Sequence, residues 1–154
     1  MAGGSETDAL FAYGSLQWVD VLEAVTGRRF SGRPASLPGH RRRRLAGRSY
    51  PGVIADPRES TDGVLFEGLD AEAFAILDLF EGEPYRRVER SVQTGGGRVQ
   101  PAFVYVIRDE HAALMSDEIW DIDEFRDVSL AAFLAQCREF ARDVRRGVKG
   151  TLPD

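Results

Sequence analysis

The patterning of the chain predicts an α+β fold in a single domain. Three observations support this: five strand signals interleaved with helical ones, three segments with apolar residues at helical spacing, and no internal repeat or linker. At 154 residues the chain is long enough to bury roughly two-thirds of its unfolded surface in one core. Expected boundaries are a disordered segment 1–7, a folded domain 8–148 and a tail 149–154.

The first strand, Leu10–Tyr13, is an apolar run that breaks at Gly14. A helix over Gln17–Val25 follows, with Val19, Leu22 and Val25 on one face and Gly27 as stop. A tight small-residue turn between strand and helix leaves backbone N–H groups free. With the helix N-terminus behind them, they form a small anion or oxyanion site. The segment is neither a Walker loop nor a Rossmann fingerprint, since the required glycines and lysine are missing.

Further strands are expected near Arg41–Leu45, at Val64–Phe66, at Val88–Thr94 and at Ala102–Ile107. Gly95-Gly96-Gly97 makes the last two a hairpin. A second helix runs from Ala71 to Phe80, with Asp70 as N-cap and Phe74, Leu77 and Phe80 facing a core. Gly82 supplies a left-handed C′ residue, and Pro84 prevents resumption. Glu81 therefore stands at a helix C-terminus, where the dipole and the charge of Asp78 one turn back both raise its proton affinity. Such a carboxyl suits a general acid or base near neutral pH. The third helix, Leu130–Arg146, carries a long apolar stripe between Ser129 as cap and Gly147 as stop; it reads as core packing with no chemistry. The acidic stretch Asp117–Asp127 lacks calcium-loop spacing and reads as a solvated connector or short helix.

Two motifs in order, Tyr13-Gly14-Ser15-Leu16 and Leu77-Asp78-Leu79-Phe80-Glu81-Gly82 followed by Tyr85 and Arg87, resemble the gamma-glutamylcyclotransferase-like family, which includes the gamma-glutamylamine cyclotransferases. Tyr50-Pro51-Gly52-Val53 and Pro101–Val106 resemble further segments of it. Asp62–Phe66 resembles another, with Gly63 and Glu67-Gly68 out of the usual register. The resemblance runs from about Leu10 to Val106. It implies a small mixed sheet closing toward a barrel, with helices packed outside. It also implies an enzyme that attacks the γ-carbonyl of a small γ-glutamyl compound with the substrate's own α-amine, releasing 5-oxoproline. Glu81 is the implied general acid/base, and Tyr13, Gly14, Ser15 and Leu16 the implied substrate loop. Tyr85, Arg87 and Tyr105 are further candidates, Arg87 either meeting a substrate carboxylate or forming a structural salt bridge. The alternative is a non-catalytic ligand-binding or regulatory domain on the same fold.

Other chemistries are disfavoured. One cysteine and two isolated histidines, His40 and His111, make neither a zinc site nor, with Ser15, a nucleophile elbow, so no metal or cofactor is expected. Cys137 lies on an apolar helix face and reads as a buried, inert thiol. The run Arg41–Arg44 lacks interleaved aromatics, and the net charge is −5, so an edge strand is favoured over nucleic-acid binding or an arginine-patch adaptor. No membrane span or signal-peptide pattern is present, and a cytoplasmic protein is expected. Oligomeric state cannot be read from these features.

Overall fold

Two long strands, β2 (Gly32–Arg44) and β3 (Pro51–Phe66), form an antiparallel ribbon that dominates the computed structural model, which describes residues 7–147. With β1 (Leu10–Ala12), β4 (Tyr85–Thr94) and β5 (Val99–Ile107) they close a barrel in the order β1-β3-β2-β4-β5. All joints are antiparallel except the closing one, where β1 meets β5 in parallel at Leu10 and Phe103. Helices α1 (Val19–Thr26), α2 (Ala71–Glu81), the short α3 (Ile122–Glu124) and α4 (Leu130–Arg145) pack outside. The expected barrel-like mixed sheet with flanking helices is thus the observed fold. Segment 1–7, apart from Thr7, and tail 149–154 lie outside the described residues. Thr7 Oγ1 donates to the Pro101 carbonyl (3.2 Å) and accepts from the Ala9 amide (3.0 Å).

Strand alternation builds two apolar layers. Phe11 and Tyr13 join Leu37, Val53, Val92 and Val104 inside the barrel, whereas Leu10 and Ala12 face the layer under the helices with Leu22, Leu77 and Phe140. Along one edge of that layer, Phe125 packs against Trp18 (5.3 Å between centroids) and Phe133 (5.5 Å). Phe80 meets both Phe133 (6.2 Å) and Phe140 (5.3 Å), so the C-terminal end of α2 is pinned to α4.

The ribbon corrects the expectation of short strands near Arg41–Leu45 and at Val64–Phe66. Its outer half adds ion pairs to the apolar contacts of Val53 and Ile54. Arg43 forks onto Glu59 (2.8 and 3.1 Å), and Arg41 (3.6 Å) and Arg58 (3.1 Å) flank Asp56. A register shift between Pro38 and His40, at Gly39 with φ 73°, separates the two halves. The expected hairpin at Gly95–Gly97 forms, with both strands starting three residues earlier.

Helix ends follow the sequence in part. Asp70 accepts the Ala73 amide (2.9 Å), and Gly82 ends α2 with φ 78°. Two expectations fail. Ser129 caps nothing: a π-helical segment, Phe125–Ser129, carries the chain directly into α4, and Asp121 instead caps α3 at the amides of Asp123 and Glu124. The first helix starts at Val19, because Ser15–Gln17 forms a separate 3-10 turn. Cys137 is buried, and desolvation pushes its thiol up to about 12. Among the described residues no helix is long and apolar enough to cross a membrane.

Candidate active site

Glu81 is the last residue of α2 and lines a cavity of about 460 Å3 between that helix end, the Tyr13–Leu16 turn and the β2–β3 turn. The volume lies in the range of small-ligand sites, roughly 300–1,000 Å3. Glu81 is half-buried, and desolvation, followed by repulsion from Asp78, pushes its carboxyl up to about 8. Sequence reasoning named the second cause. It could not see the first, which comes from segments distant in the chain.

The turn after β1 is set by local constraints. Gln17 donates to the Gly14 carbonyl (3.0 Å) and Trp18 to that of Ser15 (3.3 Å). Among the described residues no acceptor takes the Ser15 or Leu16 amide, as expected for the first N–H groups of a helical turn. These amides belong to one 3-10 turn rather than to a long helix, which removes the macrodipole expected behind them. Gly14 has negative φ, and its use is space: a Cβ there would stand 3.0 Å from the Pro51 ring. Arg42 anchors the loop from below by donating to the carbonyls of Tyr13 (2.8 Å) and Asp62 (3.0 Å), with its guanidinium over Trp120.

Three tyrosines frame the cavity. Tyr13 donates to the Tyr105 carbonyl (2.6 Å), Tyr85 to the Pro51 carbonyl (2.8 Å) and Tyr105 to Asp78 Oδ1 (2.7 Å). Burial raises all three phenols above their ordinary range, so they are neutral donors at physiological pH. Seven of the eight residues singled out from the sequence therefore meet at one cavity: Tyr13, Gly14, Ser15, Leu16, Glu81, Tyr85 and Tyr105.

Arg87 is the exception, and of its two readings the salt bridge is the one that is formed. It pairs with Asp78 (2.9 and 3.2 Å) outside this cavity and lies over the rings of Phe74 (4.7 Å) and Phe103 (4.4 Å). A partly exposed pair supported by aromatic stacking contributes about 1–2 kcal/mol. Arg87→Ala is expected to lower stability by that amount in urea unfolding while reducing turnover far less than a change at Glu81. Sequence reasoning also missed Leu45, Tyr50, Pro51, Leu114 and Phe133, which line the cavity. Phe133 corrects the reading of the α4 stripe as core alone. Only the Tyr50-Pro51 motif carried a signal. Among the described residues no group of three His, Cys, Asp or Glu side chains is placed to hold a metal ion.

A model of the family described as gamma-glutamyl cyclotransferase, AIG2-like, matches residues 10–122. AIG2-like protein D of Arabidopsis thaliana is 26% identical over 148 residues, covering 94% of this chain and 95% of that protein. A solution structure of another Arabidopsis thaliana protein superposes with a TM-score of 0.67 at 24% identity, covering 95% of this chain and 88% of that one. A structure named gamma-glutamyl cyclotransferase superposes with a TM-score of 0.58 at 19% identity, over 67% and 68% of the two chains. These two structural likenesses establish the fold.

Proposed function

The chain belongs to the gamma-glutamyl cyclotransferase, AIG2-like family, and from that premise we propose that it cyclises a γ-glutamyl compound to 5-oxoproline and a free amine or amino acid. The observation that carries this reading is Glu81, a half-buried carboxyl facing the same cavity as the Ser15 and Leu16 amides, which have no acceptor among the described residues.

The substrate supplies both reacting groups, so orientation accounts for much of the rate. Ionised Glu81 takes a proton from the α-ammonium, and the amine attacks the γ-carbonyl carbon. The oxygen of the tetrahedral adduct becomes an anion, which the Ser15 and Leu16 amides are suited to accept. Glu81 returns its proton to the leaving nitrogen, and the C–N bond breaks as the oxyanion reforms the carbonyl. The second proton of the ring nitrogen passes through Glu81 to the departing amine, which leaves Glu81 ionised for the next turnover. Tyr13, Tyr85 and Tyr105, fixed by their own hydrogen bonds, hold the walls around these atoms.

The pH dependence follows with a definite sign. A carboxyl with a pKa of about 8 is roughly one-tenth ionised at pH 7, and only the ionised form acts as the base. The value of kcat/KM is expected to rise about tenfold per pH unit below pH 8 and then to level, since this parameter reports the free enzyme. An acid limb near pH 4–5 in steady-state rates would remove the desolvated base from the mechanism. The reading itself is tested by 5-oxoproline release from γ-glutamyl amino acids, γ-glutamylamines and glutathione. Ligand binding without release from any of them would favour a binding domain.

A further inference from the structure

The cavity has a second wall that the cyclisation chemistry does not use. It is built by the turn between β2 and β3 and by Leu114 and Phe133, and presents Leu45, Ala46, Tyr50, Leu114 and Phe133. Its backbone is already paired. The Leu45 amide donates to the Tyr50 carbonyl (3.1 Å), the Ala46 amide to the Leu114 carbonyl (2.8 Å) and the Arg48 amide to the Leu45 carbonyl (3.0 Å). An antiparallel bridge between Leu45 and Met115 adds to this clasp. With these groups paired internally, Leu45, Leu114 and Phe133 offer a ligand carbon surface. The Tyr50 and Phe133 rings stand edge-on at 6.2 Å, which makes that surface aromatic on one side. The charged side chains that also line the cavity, Arg48 and Glu83, belong to exposed residues.

A γ-glutamyl substrate has two ends. Its glutamyl end, with ammonium, carboxylate and reacting carbonyl, matches the amides and Glu81. The other end must then lie along the carbon wall. Resting on the cyclisation reading, we propose that the departing amine carries a branched or aromatic hydrocarbon, so that the substrates are γ-glutamyl amides of apolar amino acids or amines. The α-carboxylate of a departing amino acid has Arg48 on the same cavity, whereas the peptide group of Cys-Gly or the ammonium of lysine would lie against Leu45, Leu114 and Phe133 at a desolvation cost.

The test compares γ-glutamyl-leucine and γ-glutamyl-phenylalanine with γ-glutamyl-glycine, glutathione and ε-(γ-glutamyl)lysine. Two readouts are taken: 5-oxoproline release by the wild type, and calorimetric binding to Glu81→Gln, which retains the wall. The leucine and phenylalanine compounds are expected to exceed the other three about tenfold or more in kcat/KM, as apolar pockets discriminate side chains. Affinities are expected in the same order. Leu114→Ala, a partly buried site, should narrow that advantage several-fold. Equal or better values for glutathione or the lysine compound overturn the proposal, as does an advantage untouched in folded Leu114→Ala. Binding in the expected order without 5-oxoproline keeps the apolar preference and overturns cyclisation. No binding of any compound overturns both.

Discussion

On the cyclisation reading, Glu81→Gln is expected to lower 5-oxoproline release steeply and to make the protein more stable above neutral pH. Loss of a proton shuttle lowers turnover about a hundredfold to ten-thousandfold, or roughly 3–5 kcal/mol in the barrier. The stability change follows from linkage. The carboxyl titrates near its ordinary value of 4.5 in the unfolded chain and at about 8 in the native one. Between these values the native state binds more protons, so its stability declines as pH rises and is lowest above pH 8. The neutral amide has no such penalty. Because Glu81 keeps some contact with solvent, the gain at pH 8 is on the order of 1–3 kcal/mol, a few degrees in Tm, and it vanishes near pH 4. Thermal melts of both proteins at pH 4, 6 and 8 check this. A Tm difference independent of pH would show that the carboxyl is not desolvated.

Gly63→Ala damages the fold itself. Gly63 lies in β3 opposite Ala35 and beside β1, and a Cβ there would collide with the Ala12 carbonyl oxygen and stand 2.8 Å from the Phe11 ring. The carbonyl cannot swing aside, because Ala12 is in register with Val64. Overpacking of this kind costs about 1–3 kcal/mol. Here the strain falls on the strand that ends at Ala12, directly before the Tyr13–Leu16 turn, so kcat/KM should drop as well. Urea unfolding beside Gly95→Ala, where a Cβ meets only open space, separates this collision from a general glycine effect. Equal midpoints for the two variants would refute it.

The legible parts of the molecule were those written in neighbouring residues. Helix α2 could be read because Asp70, the Phe74–Leu77–Phe80 spacing and Gly82 act within one segment. The turn at Tyr13–Leu16 and the carboxyl at Glu81 were legible for the same reason, helped by the order of the two motifs. The ribbon was not, because Arg41 and Arg43 find Asp56 and Glu59 only once register is set. An arginine in sequence does not say whether its partner is a ligand or a strand. Arg87 makes the same point, since Asp78, Phe74 and Phe103 reach it from separate elements. The carbon wall was hidden because Leu45, Leu114 and Phe133 converge from three distant stretches.

The parallel joint at Leu10 and Phe103 has a kinetic consequence. β1 finds its neighbours in β3 and β5, both far along the chain, and its Leu10–Phe103 contact closes the longest loop of the barrel, with the largest closure entropy. Such non-local pairings slow folding. The β2–β3 and β4–β5 hairpins can zip from their turns, but the loop at Tyr13–Leu16 acquires its shape only when β1 docks. In native-state hydrogen exchange, the Phe11 amide should therefore exchange through undocking of β1, at a lower free energy than the amides of the β2–β3 ribbon, and substrate added during refolding should be captured no earlier than that last step.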